Sequence, residues 1–271
     1  MDRFLSRGKR SLSIGEETKP KKSHVVNYKE EEQVNRDQEA STNGKQAQRF
    51  SELMDIDLDF PEINASALSL KKISRENLDL DYGILFPRRI ADNLVRILEE
   101  EVDYFTGEMA RLHVFGKWHD IPRKQATYGD PGLTYKYSGK VTPARPWPRS
   151  LGAIRDLVTR VTGYAFNFVL VNRYKDGNDK MGEHKDDEKE LDSCTPIASV
   201  SLGQPRDFYF KHQDSKAPLK RNIDKVNMVL EHGSLLLMNS PTNKFWYHAL
   251  PPRKSALGVR INLTFRKVLK K

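Results

Sequence analysis

The chain has 271 residues, enough for one large domain or two small ones, and is 37% hydrophobic and 31% charged. Its 46 basic and 37 acidic side chains leave a formal charge of +9 and a pI near 9.4, which favours a polyanionic partner, nucleic acid ahead of membrane surface. Cys194 is the single thiol, which excludes an internal disulfide and a thiolate metal cage, and no apolar run approaches the length of a membrane span.

Residues 1–77 are rich in lysine, glutamate, serine and asparagine. Stretches such as Lys29-Glu30-Glu31-Glu32-Gln33 bury too little apolar surface to offset ordering entropy, so a mostly disordered tail is expected. Phe4-Leu5 runs straight into Ser6-Arg7, so the apolar core of a signal peptide is missing and an intracellular protein is expected. Lys9-Arg10 and Lys19-Pro20-Lys21-Lys22 admit two readings, a bipartite-like nuclear address or solvated charge.

A folded domain is expected over residues 78–271. Ile90, Leu94, Ile97, Leu98 and Val102 share one helical face, and Ile154, Leu157, Val158 and Val161 predict a second helix over 151–161. After Gly163 the period changes. β-rich runs follow at 166–174, 197–202, 206–211, 226–230, 234–238 and 259–265, punctuated by Gly, Pro and Asn. The order predicts an α+β fold with a mainly β core: a double-stranded β-helix, or jelly roll, with N-terminal helices packed on one sheet.

The chemistry concentrates in His184-Lys185-Asp186 and in a later His248. On a strand, residues two apart share a face, so His184 and Asp186 can reach one ion while Lys185 points away. Two imidazoles and one carboxylate with open positions are the facial triad of non-haem Fe(II) oxygenases, whereas zinc is more often closed off by a fourth protein ligand. A chance His-x-Asp with an unrelated later histidine is the competing reading. Near the C-terminus, Arg260, Asn262, Thr264 and Arg266 fall on one strand face. Facing inward, two arginines need anions, and a dicarboxylate would supply them bidentately. Facing outward, they would be a solvated row with Ile261, Leu263 and Phe265 inside. Asn172 and Tyr174, two apart on the 166–174 strand, would add polar contacts from the opposite sheet.

Together, His184-x-Asp186, His248 and the ungapped Arg260-Ile261-Asn262-Leu263-Thr264-Phe265-Arg266 resemble the AlkB family of Fe(II)/2-oxoglutarate dioxygenases, with Asn172-Arg173-Tyr174 ahead of the metal segment. The resemblance covers residues 78–271 and the first five residues, and is closest to the family's nuclear enzymes for double-stranded DNA. Phe115-Gly116-Lys117-Trp118-His119 and Pro122-Arg123-Lys124-Gln125 add to it. It implies that His184, Asp186 and His248 bind Fe(II). It further implies that Arg266 and Thr264 clamp the distal carboxylate of 2-oxoglutarate, while Arg260, Asn172 and Tyr174 hold the end that chelates iron. O2 would be consumed with release of succinate and CO2, and ascorbate would serve as reductant in vitro. N-methyl groups on damaged bases would leave as formaldehyde. N1-methyladenine and N3-methylcytosine in duplex DNA are the expected lesions, with etheno adducts a further class.

A methyl on a pairing edge is out of reach in a duplex, so the base must be flipped out. By resemblance, Tyr135 and Tyr137 would wall the base opposite His184, with Asp187 and Glu188 at its amino edge; the resembled enzymes carry Phe where Tyr137 stands. Phe115, projected by Gly116, would fill the gap left in the stack. Arg123, Lys124, Arg253 and Lys254 would meet phosphates, although Ser255 replaces a third basic residue of that loop. Arg3-Phe4-Leu5-Ser6-Arg7 resembles a short motif that binds proliferating cell nuclear antigen, with Ser6 in place of a second aliphatic residue. The expected protein is a monomeric nuclear DNA-repair dioxygenase. The alternatives are the same chemistry on RNA or single-stranded DNA, and a catalytically silent DNA-binding module.

Overall fold

A computed structural model describes residues 57–65, 68–114, 116–137 and 140–269; side chains at 113, 114, 135–137, 140 and 141 fall outside it. In chain order the first elements are β1 (Lys71–Arg75), β2 (Leu78–Ile84), α1 (Arg88–Glu101), β3 (Arg111–Val114), β4 (Lys117–Asp120), β5 (Lys124–Gly129), β6 (Thr134–Tyr137), β7 (Lys140–Pro143) and α2 (Arg149–Thr162). They are followed by β8 (Phe168–Tyr174), β9 (Met181–His184), β10 (Ile197–Gly203), β11 (Arg206–His212), β12 (Val226–Leu230), β13 (Ser234–Met238), α3 (Thr242–Phe245), β14 (Trp246–Leu250) and β15 (Arg260–Arg266). The major sheet runs β1-β2-β13-β10-β15-β8-β5 and the minor sheet β12-β11-β14-β9. Every pairing is antiparallel, and β3-β4 and β6-β7 form separate hairpins. A mostly β fold of antiparallel sheets with few helices is consistent with the expected jelly roll.

The core explains the strand sequences. α1 buries Ile90, Ala91, Leu94, Ile97 and Leu98, and α2 buries Leu151, Ile154, Leu157 and Val158. These side chains share one cluster with Val169, Val171, Ala198, Val200, Leu235, Leu237, Ile261, Leu263 and Phe265 from the major sheet. Each buried Leu or Ile contributes roughly 1.5–3 kcal/mol relative to exposure. α2 stops at Gly163, whose left-handed φ of 76° lets its N–H reach Thr159 O at 2.8 Å. The other face of the major sheet meets the minor sheet through Leu80, Leu236 and Met238 against Phe210, Leu230 and Trp246. β15 is therefore buried on both faces along its whole length.

Two sequence expectations need correction. The folded unit begins upstream of residue 78: β1 pairs with β2, and Leu58 and Phe60 are core residues, Phe60 lying 5.3 Å from the Phe86 ring. The Lys71–Arg75 segment looks like tail because it is an edge strand whose charged side chains face solvent. Asn172 and Tyr174 do not come from the opposite sheet. Their strand, β8, lies beside β15 in the same sheet, with Asn172 facing Asn262 and Tyr174 facing Arg260.

Candidate active site

His184 ends β9, and β14 sets His248 directly opposite it in register. Their ring centroids lie 4.2 Å apart. Asp186 follows two residues beyond the end of β9, so strand alternation does not align the pair as expected. Register and the loop after β9 do so instead: His184, Asp186 and His248 each offer a ligand atom within 4.8 Å of the others. Lys185 does point away. Its Nζ donates to Gln213 Oε1 at 2.8 Å and to Lys244 O at 2.7 Å, 4.9 Å from the centre of the Tyr247 ring.

The electrostatics suit a divalent cation. His184 Nδ1 lies 2.9 Å from Gly182 O; with that nitrogen donating, Nε2 keeps its lone pair, 3.9 Å from Asp186 Oδ1. Burial holds the His184 imidazole below its ordinary pKa. Burial, then the neighbouring His184, pushes His248 down to about 3. Burial alone would raise Asp186, but the Arg266 guanidinium and the two histidines outweigh it and hold the carboxyl at about 2. At neutral pH the set is thus two neutral imidazoles and one carboxylate, the protonation state a metal requires. Asp186 Oδ1 and His248 Nδ1 are buried without a hydrogen-bond partner. A cation held by this set would offset the cost of the bare carboxylate oxygen.

Beside the triad, Asn172, Tyr174, Arg260, Asn262, Thr264 and Arg266 line a narrow cavity together with the three candidate ligands. Both readings of β15 are thereby resolved: its polar row faces the space between the sheets, while Ile261, Leu263 and Phe265 pack under the helices. Arg266 Nη2 donates to Asp186 Oδ2 at 2.8 Å, and its Nη1 to Thr264 O at 3.2 Å. Thr264 Oγ1 donates to Asn262 Oδ1, and Asn262 Nδ2 donates to Ser199 Oγ and Val200 O. Arg260 lies at the other end of the row. Its guanidinium is 5.2 Å from the Tyr174 ring centre, and Nη2 donates to Ser201 Oγ at 2.9 Å. Its Nε and Nη1 are buried without partners, and among the described residues no carboxylate faces it. Burial lowers its pKa to about 10, so it stays charged at neutral pH.

Arg266 stands against Asp186, whereas Arg260 lies at the other end of the row, beside Tyr174. Spacing along a strand cannot order the two arginines, because it does not show which one the Asp186 loop reaches.

Other expected residues are placed as follows. Asn172 Oδ1 accepts from Arg123 Nε at 2.8 Å and from Gln125 Nε2 at 3.0 Å, so Arg123 braces the cavity wall rather than pointing freely at solvent. Lys124 is exposed. Asp187 and Glu188 line a second cavity that also touches Asp186. Arg253 is half-buried and lies 3.4 Å from Asp207, while Lys254 is exposed. Tyr135 and Tyr137 fall two apart on β6, and Gly116 takes a φ of 76° in the turn between β3 and β4. The side chains of both tyrosines, Phe115, the Arg3–Arg7 motif and the basic clusters of the tail lie outside the described residues. Sequence reasoning missed Ser199, Ser201 and Gln125. Ser199 and Ser201 alternate with Ala198, Val200 and Leu202, so polar residues at period two within a buried strand were the available signal.

A family model for the 2OG-Fe(II) oxygenase superfamily matches residues 82–266. The DNA oxidative demethylase ALKBH2 of Bos taurus is 55% identical over 208 residues, covering 76% of this chain and 75% of that protein. The Homo sapiens enzyme of the same name is 57% identical over 203 residues, 74% of this chain and 77% of that protein. A more distant relative, the alpha-ketoglutarate-dependent dioxygenase alkB homolog 3 of Rattus norvegicus, is 37% identical over 153 residues, 54% of this chain and 50% of that protein.

Proposed function

The chain belongs to the 2OG-Fe(II) oxygenase superfamily and, within it, to the AlkB family of Fe(II)/2-oxoglutarate-dependent dioxygenases, and from that premise we propose that it is a DNA oxidative demethylase acting in repair. The proposed substrates are N1-methyladenine and N3-methylcytosine in duplex DNA, in the nucleus. The carrying observation is the juxtaposition of two motifs from different sheets. The His184, Asp186 and His248 set lies in one cavity with Arg260, a buried cation with two unpartnered nitrogens.

His184, Asp186 and His248 hold Fe(II) in this reading. Arg260 and Tyr174 take the distal carboxylate of 2-oxoglutarate, and Arg266 and Asn262 face its chelating end. Iron, 2-oxoglutarate and O2 supply the oxidation of an N-methyl to an N-hydroxymethyl group, which breaks down to formaldehyde and the repaired base, with succinate and CO2 as co-products. The chain's own residues bind, orient and exclude water. Arg266 fixes the Asp186 carboxylate, and the Gly182 carbonyl fixes the His184 ring. Asp187 and Glu188, at the cavity next to Asp186, are placed to accept hydrogen bonds from the amino edge of a flipped base. Tyr135 and Tyr137 wall that base, and Phe115 fills the stack it leaves.

The +9 charge supports an anionic partner, and β4, exposed along its length, supports contact by the hairpin that carries Gly116. The jelly roll backed by α1 and α2, the nuclear address at Lys9–Lys22 and clamp binding through Arg3–Arg7 belong to the same proposal. Mass spectrometry of a duplex bearing one N3-methylcytosine, before and after incubation with iron, ascorbate and 2-oxoglutarate, tests it. Loss of 14 mass units, about one CH2, per lesion is expected. An unchanged oligonucleotide alongside steady succinate release would redirect the search to another substrate.

A further inference from the structure

Arg206 opens β11 and is 1% exposed, yet the structure records no carboxylate partner for it among the described residues. Its Nη1 donates to Asp176 O at 3.0 Å, and its Nη2 to Asp179 O at 2.8 Å and Pro251 O at 2.9 Å. Those carbonyls belong to two loops. One, between β8 and β9, leads to His184; the other, between β14 and β15, carries Arg253 and Lys254. An apolar side chain could fill the space, and replacing a buried charge in this way often costs little stability. Only a planar fork of donors can tie both loops to one strand.

The loops also join directly. Gly177 N–H donates to Ala256 O at 2.6 Å, and Arg253 N–H donates to Gly177 O at 2.8 Å. A Cβ on Gly177 would lie 1.7 Å from Arg253 O, so only glycine permits this approach. Ala256 is buried beneath the junction, while Lys254 is exposed and Leu257 is 83% exposed. The loop is thus pinned from below and presents its outer side chains on a fixed backbone.

We propose that Arg206 and Gly177 are positioning residues that clamp the Arg253–Lys254 loop in its phosphate-binding conformation before DNA arrives. The inference rests on the reading that this loop contacts phosphates. Holding the loop ready removes an ordering cost from docking, so the effect falls on duplex affinity rather than on the chemical step.

The test measures binding of a fluorescent lesion-bearing duplex against salt, with steady-state turnover, for the wild type, Gly177→Ala, Arg206→Met, Arg206→Lys and the double variant Arg253→Ala/Lys254→Ala. Gly177→Ala and Arg206→Met are expected to weaken duplex binding about tenfold, with a salt slope shallower by roughly one charge. KM for duplex rises while kcat holds, and Arg206→Lys lies between them and the wild type. If the double variant binds as the wild type does, the phosphate reading fails, and with it the docking role of the clamp. If the double variant is weakened while Gly177→Ala and Arg206→Met bind normally, the clamp alone is overturned. Hydrogen exchange on the wild type provides a check that needs no variant. The Gly177 and Arg253 amides are expected to exchange as slowly as those in β15, and rapid exchange would overturn the proposal.

Discussion

The two sheets divide the site between them. The minor sheet and the loop after β9 supply the candidate metal ligands, whereas the major sheet supplies, from β8, β10 and β15, the polar row proposed to bind a dicarboxylate. An ion pair, Arg266 to Asp186 at 2.8 Å, joins one set to the other. The metal set has converging atoms and suitable protonation states, the carboxylate of Asp186 being held ionised chiefly by Arg266 from the other sheet. The carboxylate set instead holds an unmatched buried cation at Arg260. One half is ready for a cation and the other for an anion, so each can be impaired with limited effect on the other.

Asp186→Ala strikes both halves and carries the largest expected effect. It removes a candidate ligand and breaks the buried pair with Arg266, and breaking a buried pair typically costs about 3–5 kcal/mol. Turnover should vanish, Mn(II) binding by calorimetry should be lost and the melting temperature should fall, while affinity for lesion-bearing duplex changes little. Normal turnover would remove Asp186 from the ligand set.

Arg260→Met should separate the halves. Losing a charged fork to a buried carboxylate costs about 2–5 kcal/mol, so KM for 2-oxoglutarate should rise about thirtyfold or more, with Mn(II) affinity unchanged. Equal loss of both would show that the halves are not independent.

The inter-sheet ion pair predicts an acid limb. Asp186 sits at about 2 in the folded protein against 3.8 ordinarily. A depressed carboxyl contributes stability that is fully present above its unfolded value and lost as pH falls through its folded one. Metal-free wild type should therefore lose about 2 kcal/mol more than Asp186→Asn between roughly pH 5 and 2, measured by urea unfolding across that range. Parallel curves would remove the linkage. The smallest effect is expected from Ser201→Ala, which deletes the hydroxyl that receives Arg260 Nη2. At about 1 kcal/mol for one hydrogen bond, KM for 2-oxoglutarate should rise about fivefold with kcat unchanged.

Much of this was legible beforehand. The helices at residues 88–101 and 149–162 and six of the strands lie within about two residues of their expected positions, because buried faces impose their period on sequence. Residue type and spacing made the His184, Asp186 and His248 set and the polar row of β15 candidates, and the family resemblance chose between the readings that spacing left open. β1 escaped notice because Ile73 is its one apolar residue among four polar or charged ones, and Ser199 and Ser201 because serine in a buried strand resembles packing until a partner is seen.

Residue chemistry and local period determined which side chains could bind a metal and a dicarboxylate, since those depend only on donor type and on which positions share a face. Three matters were left to tertiary structure: that the β15 row faces inward, that Tyr174 stands beside rather than across from Arg260, and that Arg266 rather than Arg260 meets Asp186. Each depends on which strands pair and in what register, and long-range pairing leaves no mark on the period of a single strand.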